Sequence, residues 1–319
     1  MQEILKCMGI PYKEGVPLCQ FTGMNIEGII PLIVYPTTCE QLLCLCKYVI
    51  SNKITYEIIG GGTNTYFCEG FTRDVVIVIR QLNNISFHDD NTFTVESGYS
   101  LTKLSKQMVL KGYVGFEGLV GIPGTVGAAV INNSGAFGCE IGNMVKECQF
   151  LSMENGEQIT LSKEELCFSF RHSSLKGKRN FCLFNITFNV PNKKTSSEDL
   201  QAIMYRNIKS RRMTIDGKRK SLGTVFVAST MSELYKRHRF ALLIWKALNL
   251  PNKLFFHRSD WSLYLQFLCL RHPELAKYCD SIGRFCWEKE TTETEFFYYI
   301  DTMQTLAGGK LKLEIELKK

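Results

Sequence analysis

The chain has 319 residues, of which 45% are hydrophobic and 22% charged, and its formal net charge is +7. This composition excludes a disordered chain, and the length is sufficient for two or three compact units. Charged residues interrupt positions 1–20, which argues against a secretory signal. The apolar stretch 240–250 is interrupted by Lys246 and is too short to cross a bilayer. We therefore expect a cytoplasmic protein without a membrane partner.

The first two thirds of the chain alternate short strands with helices. The apolar run 29–36 predicts a strand, and the helix that follows from Cys39 has Thr37 or Thr38 as a plausible N-terminal cap. Together they predict a β-α unit. Between 56 and 190, β-rich runs punctuated by glycine surround a predicted helix at 101–111, which indicates an α+β domain; the runs include VVIVIR, TFTVESG and FCLFNITFNV.

The last third of the chain differs in composition and in its predicted elements. The polar segment 191–200 contains Pro and has no hydrophobic period, so it predicts a linker, with Ser197 as the cap of the next helix. Beyond it the chain is helix-rich and ends in the alternating run KLKLEIELKK, a predicted strand. The expected regions are therefore 1–52, 53–195 and 196–319.

The thirteen cysteines are scattered, odd in number and without zinc-like spacing, so we expect reduced thiols and no metal site. The spacing of Cys44 and Cys46 places both on the predicted buried face of a helix, and a redox or metal role is the weaker alternative.

A basic run covers 205–220, with seven Lys or Arg residues against one Asp. Such a run usually forms a solvated helix face and a loop, and sometimes an anion site. Nucleic acid is the third choice, because no RNA- or DNA-binding signature accompanies the run. We expect it to serve small anionic ligands.

Two glycine-rich segments carry the clearest chemical signal. In EIIGGGTNTYF, at 57–67, consecutive glycines allow backbone amides to converge on a diphosphate, although a tight turn is the alternative. The segment 116–142 contains so many small residues that ordering it would be costly unless its backbone contacted a ligand. It is neither a GxGxxG fingerprint nor a Walker loop.

The order of these segments resembles a known family. GGGTNTYF followed by GLVGIPGTVGAAVINNSGAFG is similar to the GGGSN, SGIPGxxGG and NxGAYG motifs of UDP-N-acetylenolpyruvoylglucosamine reductases. LSKEELCFSFRHSSLKG resembles that family's EECxFxYRxSxFK, and the similarity reaches as far as Phe226. The resemblance implies an α+β fold with a two-part FAD-binding cradle of the PCMH type and a divergent C-terminal substrate or cap domain.

The resemblance also implies an activity. In that family FAD takes a hydride from NADPH and passes it to the enolpyruvyl ether of UDP-N-acetylglucosamine, which gives UDP-N-acetylmuramate for peptidoglycan precursor synthesis. The positions that match its cofactor-binding motifs are Gly60, Gly61, Gly62, Thr63, Asn64, Gly121, Ile122, Pro123, Gly124, Thr125, Gly127, Ala128, Asn133, Gly135 and Ala136. The expected partners are FAD, NADPH and a nucleotide sugar, without nucleic acid.

Three positions match the family's catalytic residues. Arg171 falls on its catalytic arginine, Thr224 on the serine that donates a proton, and Glu316 on the C-terminal glutamate, with Glu314 as the fallback. A surface arginine beside a strand is the alternative for Arg171, and the matching motif around it favours function. From the residues alone, LEIEL is more simply an amphipathic edge strand.

The sequence departs from the family pattern after Phe226. The family's Lys and Asn that follow this Phe are Val227 and Ala228 here, and His238, His257 and His272 lack partner spacing and are more simply structural or surface residues. Val227 and Ala228 favour one alternative, a paralogous flavin oxidoreductase acting on another sugar in surface-polysaccharide assembly. A flavin-binding protein without turnover is the alternative from another class, and only the joint loss of the acid, Arg171 and Glu316 would favour it, which the sequence does not show.

Overall fold

The computed structural model describes residues 1–22, 24, 26–190, 196–214, 219–255, 260–288 and 290–319. The chain divides into two units that are interleaved in sequence. The first unit comprises Met1–Pro17, Ile29–Gly62 and Thr72–Thr214. The second comprises Leu18–Gly28, Thr63–Phe71 and Ile215–Lys319.

The described residues form ten α-helices and sixteen strands. The helices are α1 Gln2–Cys7, α2 Leu18–Thr22, α3 Cys39–Ser51, α4 Leu101–Leu110, α5 Val126–Ile131, α6 Ser197–Thr214, α7 Ala228–Arg237, α8 Arg239–Phe255, α9 Asp260–Cys269 and α10 Glu293–Leu306. The strands are β1 Tyr12–Pro17, β2 Ile29–Val34, β3 Tyr56–Ile59, β4 Thr65–Phe67, β5 Val75–Val78, β6 Ile85–Phe87, β7 Thr92–Glu96, β8 Gly135–Ala136, β9 Cys139–Glu140, β10 Val145–Ser152, β11 Gln158–Ser162, β12 Phe181–Asn189, β13 Lys220–Thr224, β14 Cys279–Ser281, β15 Arg284–Trp287 and β16 Glu316–Lys318.

The first unit contains a small mixed sheet with strand order β1-β2-β5-β3, in which β5 runs parallel to both β2 and β3. The predicted β-α unit is confirmed: β2 leads into α3, whose N-terminus is capped where Thr38 Oγ1 accepts a hydrogen bond from Gln41 N at 3.2 Å. The apolar face of α3, including Leu42 and Leu45, is buried in one core with strand residues such as Val75 and Ile77. This sheet ends at Ile59, directly before the first glycine segment.

A second, antiparallel sheet of the same unit has the order β11-β10-β12-β7-β6. Its core contains residues of β7, β12, α4 and α5, and the Phe93 ring of β7 stacks on the Phe188 ring of β12 with centroids 5.2 Å apart. Two fully buried residues of α6, Leu200 and Met204, belong to the same core. The segment between α4 and α5 is anchored in this core by Phe116, Leu119 and Val120.

The unit boundary differs from the one expected at residue 195. Helix α6 belongs to the first unit, because Leu200 and Met204 complete its core and Asn207 Nδ2 donates to Glu117 O at 3.2 Å. Its cap is Ser196 rather than Ser197, because Ser196 Oγ accepts from Asp199 N at 3.3 Å. Most of the predicted linker, 191–195, lies outside the described residues.

The second unit is held together by aromatic side chains. Phe285 lies at the centre of a cluster with Trp287, Phe296 and Tyr299, all with ring centroids within 5.2 Å of it. Strands β13, β15 and β14 form one sheet, and β16 pairs in parallel with β4. The terminal strand is shorter than predicted: Leu313 pairs with Phe226 while Glu316 pairs with Thr65, so the segment changes partner along its length.

The cysteines are all free thiols. The expectation that Cys44 and Cys46 share a buried face is wrong for Cys44, which is exposed, whereas Cys46 is fully buried. Cys46 lies against β12, where its hydrogen bond raises the pKa of Cys182, together with burial. Among the described residues, no group of three or more His, Cys, Asp or Glu side chains could hold a metal ion.

The pair Cys44 and Cys46 provides a matched test of this packing. We expect Cys46→Ser to lower the free energy of unfolding by about 1–3 kcal/mol, because it places a more polar hydroxyl in an apolar core. Cys44→Ser should stay within about 0.5 kcal/mol of the parent, as surface substitutions usually do. Urea denaturation followed by circular dichroism measures both, and equal losses would show that Cys46 packs no more tightly than Cys44.

Candidate cofactor and active site

The first glycine segment leaves β3 at Gly60 and lies against the second segment. A Cβ atom at Gly60 would stand 2.5 Å from Thr125 Oγ1, a distance that side chains do not tolerate. Thr125 is buried and caps α5, where its Oγ1 accepts from Ala128 N. The two segments that the sequence predicts on either side of one ligand are therefore in contact within the first unit.

The second segment is fixed by its own backbone. Gly127 N donates to Ser97 O at 2.8 Å, and a Cβ atom at Gly127 would stand 2.8 Å from Ser97 Cβ. Ile122 N donates to Leu119 O. The N–H groups of Ile122, Gly127 and Ala128 thus donate to acceptors within the protein. These residues fix the conformation of the loop and do not donate to a ligand.

Other predicted positions also have structural partners. Asn133 is buried, with Nδ2 donating to Ser169 O at 2.8 Å and Oδ1 accepting from Gly142 N at 3.0 Å. Gly135 and Ala136 form β8, a two-residue strand that pairs with β9, and Pro123 is exposed in the turn before α5. Asn133 therefore ties the second glycine segment to the loop that carries Arg171.

The hydrogen bonds of the described residues leave several loop amides unused, namely the N–H groups of Gly60, Gly61, Gly62, Gly121 and Gly124. Backbone donors in a turn form concave sites for anions, and glycine permits the close approach of a phosphate. These residues fit the diphosphate of a dinucleotide cofactor such as FAD.

Thr63 and Asn64 belong to the second unit. Asn64 Nδ2 donates to Glu314 O at 3.0 Å, and Asn64 O accepts from Glu316 N at 2.9 Å. Asn64 therefore holds the C-terminal segment through both its side chain and its backbone. Thr63 is exposed.

Arg171 lies in a tight loop of the first unit, with a positive φ of 55° that is uncommon for a residue with a side chain. Ser169 and His172 pair across this loop, and Lys176 Nζ donates to Arg171 O at 2.9 Å. Strained backbone of this kind is often found at functional sites. The loop thus presents a cation from a fixed position.

A second arginine lies near the first. Burial lowers the pKa of Arg211, and the positive charge of Arg171 lowers it further. Arg211 is in the last turn of α6, with Cδ 3.3 Å from the position of a Cβ atom at Gly121 and its guanidinium 5.5 Å from the Phe137 ring. Two guanidinium groups beside a loop with unused amides favour an anionic ligand.

In the sequence, Arg211 is only one of the seven Lys or Arg residues of the basic run at 205–220. The structure separates it from its neighbour, because Arg211 is half-buried at the glycine segment whereas Arg212 is exposed. Residues 215–218 of the run lie outside the described residues. The sequence carries no local signal that would single out Arg211.

Thr224 ends β13 in the second unit, opposite Arg284 of β15. Arg284 is largely buried and forms an ion pair of 2.7 Å with Asp280. The next residue, Val225, accepts a hydrogen bond from Glu314 N at 2.8 Å. The strand end that carries Thr224 is thus adjacent to the C-terminal segment.

The two candidate glutamates differ in their surroundings. Glu316 Oε2 lies 3.3 Å from Nζ of Lys318, whose side chain is nearly buried. Glu314 has its backbone between Val225 and Asn64. The structure thus brings Thr224 and both glutamates into neighbouring segments of the second unit, while Arg171 belongs to the first.

The positions that depart from the family pattern are structural. Val227 is buried, and its N–H donates to Lys312 O at 2.8 Å, while Ala228 begins α7. His238 Nε2 lies 2.8 Å from Leu306 O, and His272 Nδ1 lies 3.2 Å from a Glu274 oxygen. His257 lies outside the described residues.

The arginine pair can be tested with a simple anion. We expect Arg211→Gln to weaken binding of inorganic pyrophosphate about tenfold or more, because a charge-assisted hydrogen bond is lost. Arg212→Gln is the matched control and should bind as the parent does. Isothermal titration calorimetry measures both, and equal affinities for the two variants would contradict the assignment.

Comparison with known proteins gives the following relatives. A family model described as an FAD binding domain matches residues 30–162. A UDP-N-acetylenolpyruvoylglucosamine reductase of Clostridium botulinum (strain Eklund 17B / Type B) is 34% identical over 176 residues, which are 55% of this chain and 57% of that protein. The corresponding reductase of Streptococcus pneumoniae (strain JJA) shows the same identity and coverage. The matched region thus spans little more than half the length of these relatives.

The crystal structure of the UDP-N-acetylenolpyruvylglucosamine reductase from Thermus caldophilus aligns with a TM-score of 0.64 and 20% identity, over 97% of this chain and 99% of that chain. At this identity the likeness concerns the fold. The α+β fold with a PCMH-type FAD-binding domain, predicted from the sequence, is confirmed. Over 55% of its length the chain is similar to UDP-N-acetylenolpyruvoylglucosamine reductases, and residues 30–162 match an FAD binding domain.

Proposed function

We propose that the chain is an FAD-dependent reductase that takes a hydride from NADPH and reduces the enolpyruvyl ether of UDP-N-acetylglucosamine to UDP-N-acetylmuramate, a step of peptidoglycan precursor synthesis. The observation that carries the proposal is the adjacency of Thr224 and the glutamate-bearing C-terminal segment, linked by the 2.8 Å hydrogen bond from Glu314 N to Val225 O. A hydroxyl and a carboxylate are the groups that this reduction requires beyond the flavin.

The residues of the first unit would hold the cofactor and one end of the substrate. The unused amides of Gly60 to Gly62 and of Gly121 and Gly124 would bind the FAD diphosphate. Bound FAD supplies a ring that accepts a hydride and passes it on. Arg171 and Arg211 would bind anionic groups of the substrate or of NADPH.

The residues of the second unit would complete the addition across the enolpyruvyl double bond. The substrate carbon C3 receives the hydride, and C2 takes a proton from the Thr224 hydroxyl. Negative charge develops at C2 and its carboxylate before that proton arrives. Arg171 balances this charge, and Glu316, or Glu314 as the fallback, polarises the carboxylate together with it.

A second candidate is a paralogous flavin oxidoreductase that acts on another sugar. The buried Val227 favours it, because an apolar side chain packed in the core cannot replace a lysine that contacts substrate. A flavin-binding protein without turnover is the third possibility. All three candidates bind the flavin; the first two differ in the acceptor, and the third has none.

The purified protein should be yellow and hold FAD noncovalently, so that mild denaturation releases it. Gly60→Ala should lower the affinity for FAD about tenfold or more, because the added methyl group must displace Thr125. Gly70→Ala is the control, since a Cβ atom there meets nothing within 4 Å and adds only local backbone strain. Flavin absorbance after desalting measures retention, and a colourless protein that binds no added FAD would refute the cofactor assignment.

The two half-reactions separate the roles of the residues. Reduction of the bound flavin by NADPH needs no acid, so Thr224→Ala should leave its rate nearly unchanged. Reoxidation by the enolpyruvyl substrate should fall by about 10²–10⁴-fold, the usual contribution of general acid catalysis. Anaerobic stopped-flow absorbance of the flavin measures both steps.

Thr224→Ser is the matched control and should reoxidise near the parent rate, because it keeps the hydroxyl. Glu316→Gln and Glu314→Gln in the same assay identify the glutamate that acts. Unchanged reoxidation in Thr224→Ala would remove Thr224 as the acid. Flavin reduction without reoxidation by this substrate in the parent protein would favour the paralogous enzyme.

A further inference from the structure

Helices α8 and α9 of the second unit expose an unusual amount of apolar surface. Of the eighteen large apolar side chains that are exposed in the described part of the chain, nine lie in these two helices. Those of α8 are Phe240, Leu243, Ile244, Leu248, Leu250 and Leu254. A folded protein rarely leaves such a patch in water unless it binds something.

The exposed residues of α8 form a continuous stripe. Phe240, Leu243, Ile244 and Leu254 follow helical spacing and lie on one face, while Leu242 on the opposite side is buried. Leu254 is 71% exposed and Phe240 67%, so the stripe is uncovered at both ends of the helix. The helix therefore has two apolar faces, one toward the core and one toward solvent.

Helix α9 adds aromatic side chains to the same region. Trp261, Tyr264 and Leu268 share one exposed face, and the two helices are joined where Trp245 Nε1 donates to Ser262 O at 2.8 Å. Trp and Tyr have an apolar body and a polar tip, which suits the boundary between lipid and water.

The charges of α8 are all positive. Arg239, Lys246 and Lys253 are spaced by seven residues, so they form a line along the helix beside the apolar stripe, and the helix contains no Asp or Glu. Apolar residues flanked by Lys and Arg are the pattern of helices that lie in the interface of anionic membranes.

We propose that α8 and α9 bind the surface of an anionic lipid bilayer, with the apolar stripe among the acyl chains and the basic line at the headgroups. A second copy of the chain fits the surface less well, since two α8 helices facing each other would set basic lines side by side without an acidic residue to pair them. None of the described helices is long and apolar enough to cross a membrane, so the association is peripheral. This differs from the expectation of no membrane partner.

Vesicle flotation with the full chain tests the proposal and requires no enzymatic activity. The chain should float with vesicles of phosphatidylcholine mixed with phosphatidylglycerol and not with phosphatidylcholine alone. Binding should weaken as the NaCl concentration rises, because salt screens the basic line.

Two pairs of variants separate the apolar and the charged contributions. Ile244→Glu should reduce vesicle binding by about ten- to hundredfold, whereas Leu110→Glu, at an exposed leucine of α4, should leave it unchanged. Lys246→Gln should reduce it about fivefold, and Lys106→Gln, on the exposed side of α4, should have no effect. Melting temperatures close to that of the parent show that the variants are folded.

Three results would overturn the proposal. Absence of binding to anionic vesicles is one, and equal binding to neutral and anionic vesicles is another. The third is a dimer in sedimentation equilibrium together with absent vesicle binding. If Ile244→Glu abolished that dimer, the surface would be assigned to a second copy of the chain.

Discussion

The candidate cofactor site depends on close contacts between loops that only glycine permits. Gly127 lies against Ser97, and Gly60 against Thr125, at distances where any Cβ atom would overlap its neighbour. The contact at Gly127 fixes α5 on the end of β7, and the one at Gly60 places the first glycine segment beside the second. Because these contacts use only some of the amides, the remainder are available to a ligand. The glycine contacts therefore hold the loops in one conformation, and a loop that is already held loses less entropy when it binds a ligand.

The arginine pair shows how the same region favours negative charge. Two guanidinium groups held near each other repel, and partial burial of Arg211 removes water that would otherwise screen them. An anionic group bound beside them would offset this repulsion.

Much of the fold could be predicted from the sequence, because its signals are local. Glycine runs, β-branched segments and the helix cap at Thr38 each determine the structure of residues nearby in the sequence. The structure confirms the predicted β-α unit and the helix at Leu101–Leu110. Arg211 could not be singled out, since its role depends on where α6 packs. Nor could Asn64 be assigned to the C-terminal segment, which is distant in sequence. The unit boundary was misplaced because polarity marks a loop and does not show which core the next helix completes.

The interleaving of the two units has a consequence for how the chain can fold. Within the described part of the chain, strand β16 pairs with β4, which lies in the short segment Thr63–Phe71 that the first half of the chain contributes to the second unit. A fragment that begins at residue 215 would lack β4 and would expose the edge of β16. Exposed strand edges pair with other chains and promote aggregation. During synthesis β4 is made long before the C-terminal segment, so it gains its β16 partner only late, through a contact between residues that are distant in sequence.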